Sequence, residues 1–405
     1  MPVILSDITD FIIDTKHNTP GYSDQGYPCI RTPNIGRGYF ILENVKLVDE
    51  DTYKKWTERA IPKTGDLILA REAPVGNVAW IPPGLKPCIG QRTVLIRPKI
   101  GIVDSRYLAY LLLGDECQNR MISMSLGSTV AHLNMSDIRT LELPDLPPLP
   151  TQRKIASILT AYDDLIENNL RRIKILEEMA QNLYREWFVN FRFPGYEKVR
   201  FVDSPLGRIP EGWEVVSISD LIRECKERNA KNIHYPTLTV TNQRRFVLSD
   251  NYFTKRVYSK KQNNYRIIKS EQFAYNPARI NIGSIAFMEK DRVGIVSPMY
   301  CVFEVKSHRV FPDFLWNILN QYQIMDQIKK LCFGTVRQIF KFQDFNLVVT
   351  VLPSIDLQKQ YKKLTQPIKE MVEILRRQSD CLMSTRELIL PQLISGELDV
   401  SELKI

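Results

Sequence analysis

Val75-Gly76-Asn77-Val78-Ala79-Trp80 returns, in residue type if not in letter, as Ile282-Gly283-Ser284-Ile285-Ala286-Phe287, 207 positions on. Gly127-Ser128-Thr129-Val130, followed by Asp137-Ile138, returns at the same spacing as Gly334-Thr335-Val336-Arg337, followed by Asp344-Phe345. Leu5-Ser6-Asp7-Ile8 corresponds to Ile218-Ser219-Asp220-Leu221 at a spacing of 213, and Gln152-Arg153-Lys154 to Gln358-Lys359-Gln360 at 206. The register drifts by only a few residues over each half of a 405-residue chain. A globular unit has therefore been duplicated, each copy followed by a helix. Such a repeat suits a partner that is itself nearly two-fold symmetric, and duplex DNA is the commonest one.

Working outward, residues 1–143 read as mixed structure with more strand than helix. Asp66–Ala70 and Thr93–Arg97 are short apolar runs punctuated by Gly and Pro, the pattern of buried strands. Arg106 to Met121 reads as one helix, with Leu108, Leu111, Leu112 and Cys117 on one side. Leu143-Pro-Asp-Leu-Pro-Pro-Leu-Pro150 is a stop, because proline neither joins a central strand nor continues a helix. From Thr151, an acceptable N-cap, to about Phe191, apolar residues recur at steps of three and four without Gly or Pro. About 40 helical residues span roughly 60 Å, more than one domain's core requires. Pro194-Gly195 ends this helix, and Ser204–Trp213 reads as an extended linker. The second half then repeats the scheme: Leu352-Pro353 is the stop, and a second amphipathic helix runs from Asp356 to near Pro391. The class is α+β: two mixed units and two long helices that pair as an antiparallel coiled coil, in a pseudo-two-fold repeat.

The charge supports a nucleic-acid partner in one half. The net +9 is concentrated in residues 201–350, with 22 Lys and Arg against 14 Asp and Glu. That excess suits phosphate binding or plain solubility. Residues 1–150 carry 16 against 17, so any DNA contact there comes from a local strip. Seven cysteines without a C-x-x-C pair, and four scattered histidines, read as reduced core thiols and no metal site. Neither a membrane span nor a secretion signal is legible, so a cytoplasmic protein is expected.

Catalytic motifs are missing. No P-loop, complete dinucleotide fingerprint or G-x-S-x-G is present, and Asn276-Pro277 continues as Ala278-Arg279 rather than as an amino-methyltransferase motif. Asp291 with Glu304-Val305-Lys306 has the spacing of a Mg²⁺ nuclease site, but the repeat places Arg97 and Lys99 opposite Glu304 and Lys306. No cofactor is expected in this chain.

Candidate base-reading and phosphate-binding residues cluster by loop. In the first half they are Arg31, Thr32, Asn34, Arg37, Arg71, Arg92 (with Gln91 beside it) and Ser128. In the second they are Thr241, Asn242, Arg244, Arg245, Lys260, Arg279, Arg337 and Gln338, with Gln243 and Lys261 alongside. Arginine matches guanine edges, and Asn or Gln matches adenine edges, through paired donors and acceptors. Any one of them alone is an ordinary solvated side chain; the grouping in both halves is the signal.

Pro147-Pro148-Leu149-Pro150-Thr151-Gln152-Arg153-Lys154-Ile155-Ala156-Ser157-Ile158-Leu159 resembles the domain-to-helix junction of type I restriction-modification specificity subunits. Gly207-Arg208-Ile209-Pro210-Glu211-Gly212-Trp213-Glu214 resembles the start of their second target-recognition domain, and Leu393-Ile394-Ser395-Gly396-Glu397-Leu398 their C-terminal tail. The resemblance covers the whole chain and implies target-recognition domains at 1–146 and 201–351, with helical spacers at 147–200 and 352–405. It implies a non-catalytic subunit in which each domain reads half of a split, asymmetric site on double-stranded DNA. It also implies that the helices set the spacing and dock two adenine-N6 methyltransferase subunits carrying S-adenosylmethionine. Restriction/translocase subunits using ATP and Mg²⁺ would complete the enzyme, without a membrane partner. The Ile-Pro-Glu-Gly-Trp opening precedes only the second domain, and the second junction is degenerate as Leu352-Pro353-Ser354-Ile355. The competing readings are a tandem-repeat DNA-binding or scaffold protein without methyltransferase partners, and a DNA enzyme using Asp291 and Glu304.

Overall fold

A computed structural model describes residues 2–125, 131–252, 261–306, 308–332 and 339–403. The chain forms two compact units, Met1–Ile173 with Ile374–Ile405, and Lys174–Glu373. Both long helices contribute a segment to each unit.

The first unit opens on a 3-10 turn, Leu5–Ile8, closed by a hydrogen bond from the Ile4 N–H to Asp7 (3.1 Å). An antiparallel sheet follows, in the order Thr9–Asp14, Thr93–Pro98, Leu67–Ala70, Val78–Trp80. Its central strands are buried on both faces, which is why they read as continuous apolar runs rather than alternating ones. Successive side chains still divide by face. Leu67, Leu69, Val94 and Ile96 join the core beneath the helices, whereas Ile68, Ala70 and Leu95 pack with Ile30, Ala79 and Ile89. A second, small sheet pairs Tyr27–Ile30 antiparallel with Lys46–Val48 and parallel with Cys88–Ile89.

The second unit repeats this plan. Ser217 N–H bonds to Asp220 (3.2 Å) at the opening turn. Its antiparallel sheet runs Ile222–Cys225, Cys301–Val305, Phe273–Tyr275, Ile285–Phe287, the same order as in the first unit. The small sheet again has one parallel pair, Thr237–Val240 with Gly294–Val296, and gains an extra strand, Arg266–Ile268. Duplication is thus present at the level of strand order.

The first long helix spans Leu149–Tyr184 and the second Ile355–Ser395. They run antiparallel: Asp163 pairs with Arg386 (2.9 Å), and the Ala180 carbonyl accepts from the Tyr361 hydroxyl (3.2 Å). One buried glutamine fastens the start of each helix to its unit. Gln152 accepts from the Asp104 N–H (2.9 Å) and donates to the Pro147 and Ile102 carbonyls (2.9 and 3.4 Å). Gln358 accepts from the Phe311 N–H (3.2 Å) and donates to the Arg309 and Pro353 carbonyls (2.9 and 3.1 Å). The repeated glutamine is the repeated joint.

Four sequence expectations need correction. The helix expected over 106–121 is two helices, Ser105–Leu113 and Asp115–Ser125, broken where Gly114 turns extended (ψ 151°). The first long helix starts at Leu149, not Thr151, because proline is tolerated in a first turn. It also passes into a π-helical turn, Arg185–Val189, before Phe191. The second continues through Pro391 to Ser395, since burial of Leu390 and Leu393 on either side outweighs the lost hydrogen bond. Residues 204–213 are not a linker: Phe201–Ser204 and Gly207–Pro210 form a hairpin, and Trp213 is buried against Phe193 (ring centroids 5.4 Å apart). Among the described residues no helix is long and apolar enough to cross a membrane.

Candidate nucleic-acid interface

Arg31, Thr32, Asn34 and Arg37 in the first half, and Thr241, Asn242, Arg244 and Arg245 in the second, fall on one loop, built twice. It leaves the strand Tyr27–Ile30 in the first unit and Thr237–Val240 in the second. Arg37 and Arg244 are 207 positions apart, the spacing of the repeat. Arg37 Nη2 donates to the Leu113 carbonyl (3.0 Å), and Arg244 Nη1 to the Asn320 side chain, again 207 positions apart. Each guanidinium is therefore tethered at the end of an equivalent helix, Ser105–Leu113 or Pro312–Leu319. Burial pulls the Arg244 pKa below the usual arginine value.

The motif that reveals the repeat supports this loop from below. Gly76 and Gly283 both take positive φ (+86° and +93°), a turn that a side chain resists. A Cβ on Gly283 would lie 2.9 Å from the Asn242 carbonyl oxygen. The next residue donates upward: Asn77 Nδ2 to the Ile35 carbonyl (2.9 Å), and Ser284 Oγ to the Val240 carbonyl (3.2 Å).

Individual candidates divide between those turned inward and those left outside. Asn34 is buried and turns both ends of its amide to the loop, accepting from the Arg31 N–H (3.1 Å) and donating to the Ile41 carbonyl (3.1 Å). Thr32 is buried beside it. Arg71 bonds the Leu133 carbonyl and Asp14, both at 2.8 Å. Thr241 is buried and closes the turn to Arg245. These four shape the loops. Arg31 is half-buried, with its guanidinium 5.8 Å from the centre of the Tyr22 ring. Arg92 is exposed, at positive φ (+67°), with Nε 3.0 Å from Glu72. Asn242, Arg245 and Arg279 are exposed, Arg245 lying 3.7 Å from Glu177. The Gly283 contacts bring the turn 279–283 against Asn242 and Arg244, so Arg279 joins that group. Ser128, Lys260, Arg337 and Gln338 lie outside the described residues.

Sequence reasoning missed Tyr39, exposed on the first loop, and Gln118, whose buried amide donates to the Gly76 and Leu112 carbonyls (2.9 and 2.7 Å). Nothing in residue type separates an exposed tyrosine from a core one; position on the loop after the strand is the usable signal.

Of the two acidic residues of the nuclease reading, Glu304 has structural side-chain partners. Glu304 bonds Arg223 (2.7 Å) and Gln272 (2.8 Å). Burial opposes its charge, but the hydrogen bonds of Gln272, Arg223 and Cys225 prevail and hold its pKa below the usual glutamate value. Asp291 sits in a turn at positive φ, its N–H donating to Ser270. Among the described residues no group of three His, Cys, Asp or Glu is placed to hold a metal ion.

The type I restriction modification DNA specificity domain matches residues 5–178. The MjaIX specificity subunit of a type I restriction enzyme from Methanocaldococcus jannaschii is 28% identical over 90% of this chain and 84% of its own length. The MjaVIII specificity subunit of the same organism is 24% identical over 93% and 90%. The crystal structure of a type I S subunit from M. genitalium superposes with a TM-score of 0.59 over 97% of this chain and 95% of its own, at 12% identity, a likeness of fold. With two units of one plan, each fastened by a buried glutamine to a long helix, the chain is similar along most of its length to the specificity subunits of type I restriction enzymes, the non-catalytic DNA-recognition components of those systems.

Proposed function

We propose that each unit reads one half of a split, asymmetric DNA site through the major groove, and that the long helices set the unspecific spacer between the halves. The observation that carries this reading is the loop built twice on equivalent strands with different side chains. Arg31, Arg37 and Arg92 face one half-site, and Asn242, Arg244, Arg245 and Arg279 the other. Equal scaffolds with unequal loops recognise unequal half-sites.

The helices also dock two adenine-N6 methyltransferase subunits, which supply S-adenosylmethionine. Leu165 and Met371, 206 positions apart and both exposed, mark equivalent apolar positions on the two helices, and exposed Leu364 extends the second. A duplicated apolar position suits a duplicated partner. Restriction/translocase subunits bring ATP and Mg²⁺, and the assembly acts on chromosomal DNA in the cytoplasm.

Exchanging residues 1–146 for those of another specificity subunit tests the division of labour. Methylation by the hybrid enzyme changes in one half of the recognised sequence and keeps the other half. A change in both halves contradicts the reading.

A further inference from the structure

Arg386 stands apart from every other charge on the second long helix, because only 4% of it is exposed. Its Nη2 donates to the main-chain carbonyl of Arg37 (2.8 Å), 349 positions earlier in the chain. Its Nε lies 2.9 Å from Asp163 on the first long helix, an ion pair without an aligned Nε–H bond, and Nη1 reaches Glu387. Asp163 in turn accepts from the Tyr110 hydroxyl (2.6 Å). Gly38 leaves room for this knot: a Cβ there would meet Arg386 Nη2 at 3.1 Å, and its φ of +95° disfavours any side chain.

We propose that Arg386 is a positioning residue for DNA recognition, holding the 31–41 loop in its reading conformation from the coiled coil, and that it does so for one half-site alone. The asymmetry follows from the repeat. At the 206-residue spacing of the helices, the counterpart of Arg386 is Ala180, which carries no donor, and the counterpart of Asp163 is Lys369, paired instead with Asp313 (3.0 Å). The second unit therefore holds its loop without such a fork. The inference rests on the reading of the 31–41 loop as DNA-facing. Whatever displaces the helix at Arg386 shifts the backbone between Arg37 and Gly38, and with it the side chains on either side.

The test uses the full chain with its methyltransferase, sequencing methyladenine at the recognised site and at sites with one altered base in either half. Arg386→Gln removes the fork; Arg386→Lys keeps a cation beside Asp163 but lacks a second nitrogen for the Arg37 carbonyl, and serves where the glutamine variant does not accumulate. The expected result is a rise of about tenfold in methylation of sites altered in the first unit's half, relative to the intact site, with no change for the other half; that factor corresponds to one charge-assisted hydrogen bond. A purely structural role lowers all methylation and leaves both ratios unchanged, which overturns the proposal. Arg31→Ala and Arg37→Ala run in parallel. If they relax the first half while the Arg386 variants do not, the positioning proposal alone fails. If none of them relaxes it, the reading of the loop fails and the proposal with it.

Discussion

Replacing Gln358 with methionine isolates the joint between helix and recognition unit. Methionine keeps the length of the side chain and loses every hydrogen bond. Three main-chain groups lose their bond to this side chain: the Phe311 N–H and the carbonyls of Arg309 and Pro353. Gln358 is fully buried, so water does not replace them at once. At roughly 1 kcal/mol for each lost bond, the second unit loses about 3 kcal/mol. With a urea slope of about 3 kcal/mol/M, its transition moves down by roughly 1 M. Hydrogen exchange in urea, read on peptides from residues 301–319 and 355–373, follows this unit separately from peptides of residues 93–113 in the first. Gln152→Met is the mirror experiment and costs the first unit less, about 2 kcal/mol, because its contact with the Ile102 carbonyl is long at 3.4 Å. A shift below about 0.3 M for Gln358→Met, or equal loss of protection in both units, would refute the account of the joint.

Two further outcomes are expected. Burial opposes the charged form of Asp313, yet Lys369 and Lys362 win and hold its pKa below the usual aspartate value. A depressed carboxylate stabilises the fold above its unfolded pKa, and that contribution fades as pH falls through the folded value. The stability gap between the native chain and Asp313→Asn, measured by denaturant titration, is therefore full at pH 7 and closes below about pH 4; a gap independent of pH contradicts the assignment. Arg245→Ala and Arg279→Ala, if these exposed guanidiniums meet phosphates, each reduce the slope of log affinity against log salt by about 1 in the assembled enzyme. An unchanged slope removes that residue from the interface.

Much of the fold was legible because duplication multiplies a weak signal. Val75–Trp80 and Ile282–Phe287 are unremarkable singly; together they mark a left-handed glycine turn, a side-chain donor to the loop above, and a strand. The glutamines at 152 and 358 recur because a buried amide has to satisfy the same three main-chain groups in both units. Strand pairs buried on both faces showed as apolar runs. Element ends were less legible. Gly114 sits inside an apolar pattern that hides the break, and Pro391 reads as a stop although the buried leucines beside it carry the helix through. The 201–210 hairpin escaped because its residues are those of a linker, and only the aromatic cluster of Phe191, Phe193 and Trp213 gives it something to pack on. For the interface, residue type points to loops without separating exposed side chains from supports. Asn34 and Arg71 carry the donors of base readers but turn them to backbone carbonyls and Asp14. Arg386 was invisible as a loop residue, since nothing in its helix shows that its partner lies 349 positions away.

The most direct measurement is single-molecule sequencing of methyladenine in host DNA, with and without this gene, in the presence of its methyltransferase. The account predicts one bipartite motif with a fixed unspecific spacer, present with the gene and lost on its deletion. A methyladenine pattern unaffected by deletion, together with failure of the two proteins to co-purify, would contradict the specificity role and leave a DNA-binding or scaffold protein without methyltransferase partners.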